Sequence, residues 1–295
     1  MSRKFQDLTP MLSPKSIAIV GASERHGSAG RLVLENLHFL GYTGEIYAVN
    51  PKNESVLGHP CYKDLESIGK PVDMVAILLG AKNVLPILQS MKKLGIPAAW
   101  ALASGFSESG PEGEVLQKEI AAYVKENNLL LLGPNCIGIL NMLDHSATYS
   151  VAINPKIRPG NVSVVMQSGA ILMGLANSAR FGVRYLISCG NQAALEVSDF
   201  IGYLAEDEQT KVIVTFIEGI PDTKKFVDAL RAAYKAGKPV LLVKVGRSEA
   251  AQRAVQAHTG SLAGSDTVLD AVLNREGAIR VNSLDELVET TELFL

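Results

Sequence analysis

The chain has few cysteines, and their number and spacing argue against both a zinc-binding cluster and a disulfide framework. Cys61, Cys136 and Cys189 are the only three among 295 residues. They lie too far apart for a zinc-binding cluster, and their odd number does not suit a disulfide framework. A reducing compartment fits this usage best, so we expect a cytoplasmic protein.

Long hydrophobic runs are missing as well. Apolar runs such as residues 75–79 and 129–132 are far too short to span a bilayer, and the first 14 residues lack the apolar centre of a signal peptide. With 28 basic and 30 acidic residues the net charge is −2. This balance favours neither nucleic acid nor a membrane surface as a partner.

What the sequence does contain is a regular alternation of strand and helix patterns. In the first half, strand patterns at residues 16–20, 45–49, 72–79, 98–103 and 129–132 alternate with helical patterns at 29–40, 82–93 and 111–127. After a turn-rich pause over residues 144–159, strand patterns at 162–166, 185–188, 212–217, 240–245 and 278–281 alternate with helical patterns at 170–181, 198–206, 223–235 and 284–295. This pattern predicts the α/β class, with two doubly wound open parallel-sheet domains over residues 1–148 and 149–295.

The first strand leads into a glycine-rich turn. The segment Gly21-Ala22-Ser23 is followed by Gly27, Ser28 and Gly30 before a helix begins. Small residues let the backbone approach a ligand, and a helix N-terminus attracts phosphate. A tight strand-to-helix turn that binds nothing explains these residues equally well.

The end of the second strand points to the kind of ligand. NAD sites usually place an acidic residue there for the ribose, but this chain has Asn50-Pro51-Lys52. A lysine suits a phosphate on the ribose, which favours CoA or NADP; a solvated turn lysine remains an equal alternative.

Two more small-residue segments follow later strands of the first domain. They contain Ser104-Gly105 and, within residues 133–138, Asn135 and Cys136. Ligands of open α/β sheets bind beyond the carboxyl ends of the strands, so these segments are candidates for the same site.

In the second half, one of the five histidines has an unusual context. His258 lies among small residues between two helical patterns, whereas His26, His59 and His145 are expected in loops and His38 in a helix. Gln167-Ser168-Gly169-Ala170 stands where a strand ends and a helix opens, which predicts an anion site. Glu218 closes a neighbouring strand and could orient an imidazole. Separately, Ser168 could be an ordinary helix cap and Glu218 a solvated residue.

Together these segments resemble the succinyl-CoA synthetase superfamily, and within it the ADP-forming acetyl-CoA synthetases. The segments that carry the resemblance are residues 16–23, 49–52, 104–108, 133–136, 167–169, 216–219 and 258–264. The resemblance implies a CoA-binding Rossmann-like domain followed by a flavodoxin-like ligase domain. It implies that His258 is phosphorylated, that Glu218 stabilises the phosphohistidine, and that the helix opening at Ser168 holds phosphate.

The resemblance also implies a reaction and a partner. A carboxylic acid, CoA and NTP would be converted reversibly to acyl-CoA, NDP and phosphate. The chain has no P-loop motif and no recognisable ATP-grasp domain. The nucleotide and its Mg²⁺ are therefore expected on an ATP-grasp beta-type subunit, in an α2β2 assembly. No resident metal is expected on this chain.

Three other functions fit parts of the sequence, and the weakest is a free-standing CoA-transferase, which would work without a nucleotide or a partner. An NADP-dependent oxidoreductase would explain the first domain but not the second, and a non-catalytic CoA or acyl-CoA sensor would leave His258 incidental. The sequence does not indicate which acid is used, which nucleotide, or the physiological direction.

Overall fold

The computed structural model describes residues 5–245 and 266–295. The predicted phosphorylation site His258 and the rest of its small-residue segment lie outside the described residues. The chain divides into two compact units. The N-terminal unit comprises Leu8–Ile153 and Gly190–Ala194, and the C-terminal unit comprises Met1–Asp7, Asn154–Cys189 and Leu195–Leu295.

The N-terminal unit is an α/β domain. Its strands are β1 (Ser16–Val20), β2 (Glu45–Val49), β3 (Ser55–Val56), β4 (His59–Tyr62), β5 (Met74–Ile77), β6 (Ala98–Ala101), β7 (Leu130–Leu132), β8 (Gly138–Asn141) and β9 (Ser146–Tyr149). Its helices are α1 (Thr9–Leu12), α2 (Ala29–Leu40), α3 (Val84–Leu94) and α4 (Pro111–Glu126).

The first sheet has the strand order β3-β4-β2-β1-β5-β6-β7. All its pairs are parallel except β3 with β4. Strands β1, β5 and β6 are buried along their whole length, because helices cover both faces of a parallel sheet. The chain leaves β1 first toward β2 and later toward β5, and this reversal opens a crevice at the carboxyl ends of these strands.

The C-terminal unit is a second α/β domain. Its strands are β10 (Pro159–Met166), β11 (Val183–Ser188), β12 (Val212–Ile217), β13 (Val240–Lys244) and β14 (Ile279–Val281). Its helices are α5 (Gly169–Ser178), α6 (Val197–Glu206), α7 (Thr223–Lys235), α8 (Asp266–Glu276) and α9 (Leu284–Leu293).

The parallel strands of the second unit follow the order β14-β13-β12-β10-β11. Counted from β10, this is the 2-1-3-4-5 order of flavodoxin-like sheets, whose switch point lies between the first and third strands. Here those strands are β10 and β12, which pair directly with Met166 opposite Phe216. The segments that follow β10 and β12 therefore emerge side by side.

The predicted fold class is confirmed, since both units are mostly parallel α/β sheets flanked by helices. The sequence pattern missed α1, β3, β4 and the β8–β9 hairpin. These elements have two to four residues each, too few to show a period. His59 was wrongly expected in a loop; it lies in β4, and its Nε2 is 2.8 Å from Nε2 of His38. In the described parts of the chain, we find no helix with the length and apolar character needed to cross a membrane.

Candidate functional site

A cavity of about 480 Å³ opens at the carboxyl ends of β1 and β2 in the N-terminal unit. Its walls combine the first glycine turn, the end of β2 and the segment after β5. The lining residues are Val20, Gly21, Val49, Asn50, Pro51, Lys52, Lys63, Asp64, Leu65, Glu66, Leu79, Asn83, Pro86, Ile87 and Ser90. The predicted contacts Gly21 and Lys52 thus share one cavity, at the edge of the sheet where an open α/β domain binds ligands.

Glycine is required at two positions near the end of β1, one in the turn and one in the first turn of α2. Gly21 has φ = +100°, a conformation that side chains disfavour. A Cβ on Gly30 would lie 2.3 Å from the carbonyl oxygen of Gly21, so α2 can pack this closely only without a side chain. The backbone at Gly21 can therefore form one wall of the cavity.

Asn50 joins the two loops that face the cavity. Its Nδ2 donates a hydrogen bond to the carbonyl of Ala22 at 2.7 Å, and its Oδ1 accepts one from the backbone N–H of Lys52 at 3.0 Å. Ala22 itself is fully buried. Asn50 thus fixes the backbone from which the Lys52 side chain extends.

The two predicted serine contacts have local roles. The Ser28 hydroxyl accepts a hydrogen bond from the N–H of Arg31 and caps α2, and the Ser23 hydroxyl accepts one from the N–H of Arg25 at 3.1 Å. Neither side chain lines the cavity. We therefore conclude that both hydroxyls stabilise the conformation of the loop.

Lys63 is a cavity residue that the sequence analysis missed. It lines the same cavity as Lys52, and both side chains are exposed. Lys63 follows β4, a strand too short to be recognised from its pattern. The lining also contains the carboxyl groups of Asp64 and Glu66, so the two lysines supply ammonium groups that can pair with a phosphate without making the cavity positive as a whole.

The loop after β6 is held by an acidic side chain from the same loop. Oε1 of Glu108 accepts hydrogen bonds from the N–H groups of Gly105 at 2.7 Å and Phe106 at 3.2 Å. Burial alone would raise the pKa of Glu108, but hydrogen bonds from Asn191 and from these N–H groups outweigh it and lower the pKa. The predicted ligand contact Gly105 therefore has its N–H bound to Glu108, whereas Ser104 beside it is exposed.

Asn191 is a second residue that the sequence analysis missed. Its Nδ2 donates to Oε2 of Glu108 and to Oε1 of Gln117, the latter at 3.0 Å. Its Oδ1 accepts from Nδ2 of the predicted site residue Asn135 at 3.2 Å. The one sequence signal was Gly190-Asn191 shortly after a strand, which resembles an ordinary turn.

The structure argues against a ligand contact for the Cys136 thiol. The residue is 1% exposed, its Sγ is 3.4 Å from the carbonyl oxygen of Ala101, and burial raises its pKa to about 12. A buried, protonated thiol contributes to packing rather than to ligand binding. Of the predicted pair, only Asn135 is exposed.

In the C-terminal unit, Ser168 caps α5, with its hydroxyl accepting a hydrogen bond from the N–H of Ile171 at 3.3 Å. Gly169 and Ala170 form the start of the helix, and Ala170 is exposed. The first N–H groups of a helix have no intrahelical acceptor, and the helix dipole makes this end positive. The N–H groups at the start of α5 therefore lie at the carboxyl end of β10, where the sequence predicted an anion site.

Gln167 and Glu218 are brought together at this edge. Oε1 of Gln167 accepts hydrogen bonds from the N–H groups of Glu218 at 2.6 Å and Gly219 at 3.0 Å, and its Nε2 donates to the carbonyl of Gly219 at 2.6 Å. The carboxylate-bearing residue is thus beside the N-terminus of α5. The side chain of Gln167, predicted to bind phosphate, is instead occupied by this turn.

Lys244, at the end of β13, approaches the same turn. Its Nζ donates to the carbonyl of Glu218 at 2.9 Å and to that of Val245 at 2.5 Å. Burial lowers the pKa of Lys244, and the nearby charge of Arg280 lowers it further, against the opposing effects of Asp266 and Glu218. The amino group of Lys244 therefore lies beside the turn, and it comes from the last described strand before the segment containing His258.

Two family descriptions match the chain. The CoA binding domain matches residues 15–142, and the succinyl-CoA ligase-like flavodoxin domain matches residues 159–294. Each match covers one of the two α/β sheets described above.

Curated relatives carry the same pair of domains within longer chains. The ADP-forming acetate–CoA ligase of Methanocaldococcus jannaschii is 36% identical over 285 residues, covering 95% of this chain and 39% of the relative. The alpha subunit of ADP-forming acetate–CoA ligase I of Pyrococcus furiosus is 32% identical over 287 residues, covering 95% of this chain and 61% of the relative. This chain therefore spans less than two thirds of the length of either.

A solved structure has a similar backbone. It is the dinucleotide-forming acetyl-coenzyme A synthetase 1 of Ca. Korarchaeum cryptofilum in complex with phosphate and ADP. The TM-score is 0.92 at 29% identity, over 98% of this chain and 62% of that chain.

Proposed function

Because this chain belongs to the superfamily of succinyl-CoA synthetases and ADP-forming acetyl-CoA synthetases, we propose that it is the CoA-binding, phosphohistidine-carrying part of an NDP-forming acyl-CoA synthetase. The reaction would join a carboxylic acid to CoA with conversion of NTP to NDP and phosphate, reversibly. The observation that carries this proposal is the placement of Glu218 beside the N-terminus of α5 by Gln167.

In this proposal, the first domain (residues 1–148) binds CoA in the cavity beside β1 and β2. The exposed ammonium groups of Lys52 and Lys63 would face the 3′-phosphate of CoA, and the backbone at Gly21 would face the rest of the nucleotide. Asn135, held by Asn191, would lie toward the acyl end.

The second domain (residues 149–295) would carry the phosphoryl group. In the direction that starts from acyl-CoA, phosphate attacks the thioester carbonyl, CoA leaves as the thiol, and an acyl phosphate forms. The imidazole of His258 then attacks phosphorus, the P–O bond to the acyl oxygen breaks, and the free acid leaves. The N–H groups at the start of α5 would stabilise the charge on the transferred group, and the Glu218 carboxylate would orient the imidazole.

The nucleotide step requires another polypeptide in this proposal. An ATP-grasp beta-type subunit would hold NDP or NTP with Mg²⁺ and receive the phosphoryl group from His258. An α2β2 assembly in the cytoplasm is the arrangement we propose. The P. furiosus relative, named as an alpha subunit, supports a divided enzyme.

Phosphorylation of His258 can be tested directly. The complex with its partner subunit is incubated with γ-labelled NTP, using the native chain and His258→Asn. The native chain should acquire label that is labile in acid and stable in alkali, and the variant should acquire none. Such label on the variant would refute the assignment.

CoA binding is tested by calorimetry on the chain. CoA should bind, and Lys52→Met should weaken it about five- to thirtyfold, since a phosphate near an ammonium at 4 Å gains about 1 kcal/mol per charge in water. Dephospho-CoA should bind the two proteins equally, and Lys125→Met, an exposed lysine of α4, is the control. Binding of NADPH in place of CoA would instead support an oxidoreductase. Tight CoA binding without phosphorylation in the presence of the partner would support a sensor.

A further inference from the structure

We propose that Gln167 is a positioning residue that fixes the Glu218–Gly219 turn against the N-terminus of α5. This inference rests on the proposed function, because it assumes that the placement of Glu218 matters for phosphoryl transfer. Nothing in the sequence distinguished this role from direct binding of phosphate.

The sheet brings the two segments together. Strands β10 and β12 are parallel neighbours, and their last paired residues are Met166 and Phe216. The N–H of Gln167 still donates to the carbonyl of Phe216 at 3.3 Å. Gln167 lies one residue beyond the paired strand residues. Its side chain makes hydrogen bonds to the neighbouring segment in place of a further strand residue.

All four backbone polar groups of the turn are bound by side chains. Gln167 accepts from both N–H groups and donates to the carbonyl of Gly219, and Lys244 donates to the carbonyl of Glu218. Because Gln167 is only 7% exposed, water cannot easily replace these bonds.

This arrangement separates two tasks at one edge of the sheet. The N–H groups of the turn are already occupied, so the donors for an anion come from the start of α5. The turn contributes only the Glu218 carboxylate, in a position set by Gln167. A shift of about 1 Å in such a group can change a rate on the order of a hundredfold.

At neutral pH, the glutamine amide both accepts and donates hydrogen bonds, whereas an ionised glutamate of the same length only accepts. Methionine has a similar length but supplies none of the three bonds. Glutamate retains an acceptor for the two N–H groups, but when ionised it cannot donate to the carbonyl of Gly219. Protonation of this glutamate restores the donor.

The experiment measures kcat and KM of the complex with its partner subunit for Gln167→Met, Gln167→Glu and the control Asn161→Met. Asn161 is in the same strand, and its Nδ2 makes one hydrogen bond, 3.0 Å from the carbonyl of Gln209. We expect Gln167→Met to lower kcat on the order of ten- to a hundredfold, with KM for CoA changed less than about twofold. The control should stay within about twofold on both constants.

The pH profile separates positioning from general support of the fold. Relative to the native enzyme, Gln167→Glu should recover kcat as the pH falls, because its protonated carboxyl donates to Gly219 again. Gln167→Met should show no such recovery. If Gln167→Met does not fold, the pH profile of Gln167→Glu decides the question. A ratio of its kcat to the native kcat that does not change with pH counts against positioning.

A double-mutant cycle with Glu218→Gln separates this inference from the proposed function. If Gln167 acts through Glu218, its replacement should have little further effect in the Glu218→Gln background. Fully additive losses would overturn the positioning role while leaving the proposed function intact. A Glu218→Gln enzyme with native kcat would overturn the proposed role of Glu218 itself.

Discussion

Replacing Gly30 by alanine tests how the wall of the cavity is built. The added Cβ would lie 2.3 Å from the carbonyl oxygen of Gly21 and 2.9 Å from Cα of Ala22. Ordinary carbon–oxygen contacts are about 1 Å longer, and both neighbours are backbone atoms that cannot rotate away. The first turn of α2 must therefore move away from the loop after β1.

The expected magnitude follows from two opposing contributions. Overpacking of this kind costs about 1–3 kcal/mol, and the upper part of that range applies because the neighbours are backbone. Alanine regains up to about 1 kcal/mol through its helix propensity. A net loss of about 1–2 kcal/mol should lower the thermal midpoint of a unit of this size by about 2–8 °C.

The chain provides its own probe and control. Trp100 is the single tryptophan, is fully buried in β6, and so reports unfolding of the N-terminal unit by fluorescence. In Gly80→Ala, the new Cβ has no neighbour within 4 Å, and φ at that position is −62°, so stability should be equal or higher by up to about 1 kcal/mol.

CoA binding completes this test. Since Gly21 lines the cavity and α2 packs against its loop, separation of α2 from this loop in Gly30→Ala should also weaken CoA binding measured by calorimetry. If Gly30→Ala melted at the native temperature and bound CoA as the native protein does, the close packing of α2 on this loop would be refuted.

Two further predictions concern ionisable groups of the N-terminal and C-terminal units. In the folded protein at pH 8, Cys61 should react slowly with a disulfide reagent, because burial raises its pKa. Cys136 and Cys189 should hardly react, because both are buried and burial also raises the pKa of Cys136. Three thiols should react after denaturation, and fast labelling of Cys136 in the folded state would contradict its burial. The pKa of Glu108 is lowered in the folded state, so its contribution to stability is present above about pH 4.3, the unfolded value, and is lost as the pH falls toward the folded pKa. The thermal midpoint of the native chain, followed by Trp100, should therefore exceed that of Glu108→Gln at pH 7 by more than it does at pH 4, and a difference that is constant with pH would show that ionised Glu108 does not hold its loop.

The sequence predicted the elements whose patterns are long. Strands 16–20, 45–49 and 212–217 and helices 29–40 and 223–235 have the same bounds in the structure. Each is long enough to show a period, and glycine or proline lies close to most of their ends. The proposed domain limits, residues 1–148 and 149–295, remain a prediction. In the structure, the main segment of the N-terminal unit ends at Ile153.

The sequence also placed several candidate site residues at the carboxyl ends of strands, and the structure has them there. Gly21, Lys52, Ser168 and Glu218 all follow strands, and the carboxyl ends of parallel strands share one edge. That rule needs only the order of strands and helices along the chain. His258 remains a prediction from its local context and from the resemblance.

Tertiary structure alone decided which side chain performs which task. Gln167 bonds to Glu218 across 51 positions and Asn191 to Glu108 across 83, and no local pattern encodes either pair. Burial separated Cys136 from its exposed neighbour Asn135, and the pairing of β4 with β2 placed Lys63 in the same cavity as Lys52. Sequence determines local conformation through periodicity and turn chemistry, whereas the roles of polar side chains depend on which distant groups the strand order brings within hydrogen-bonding distance.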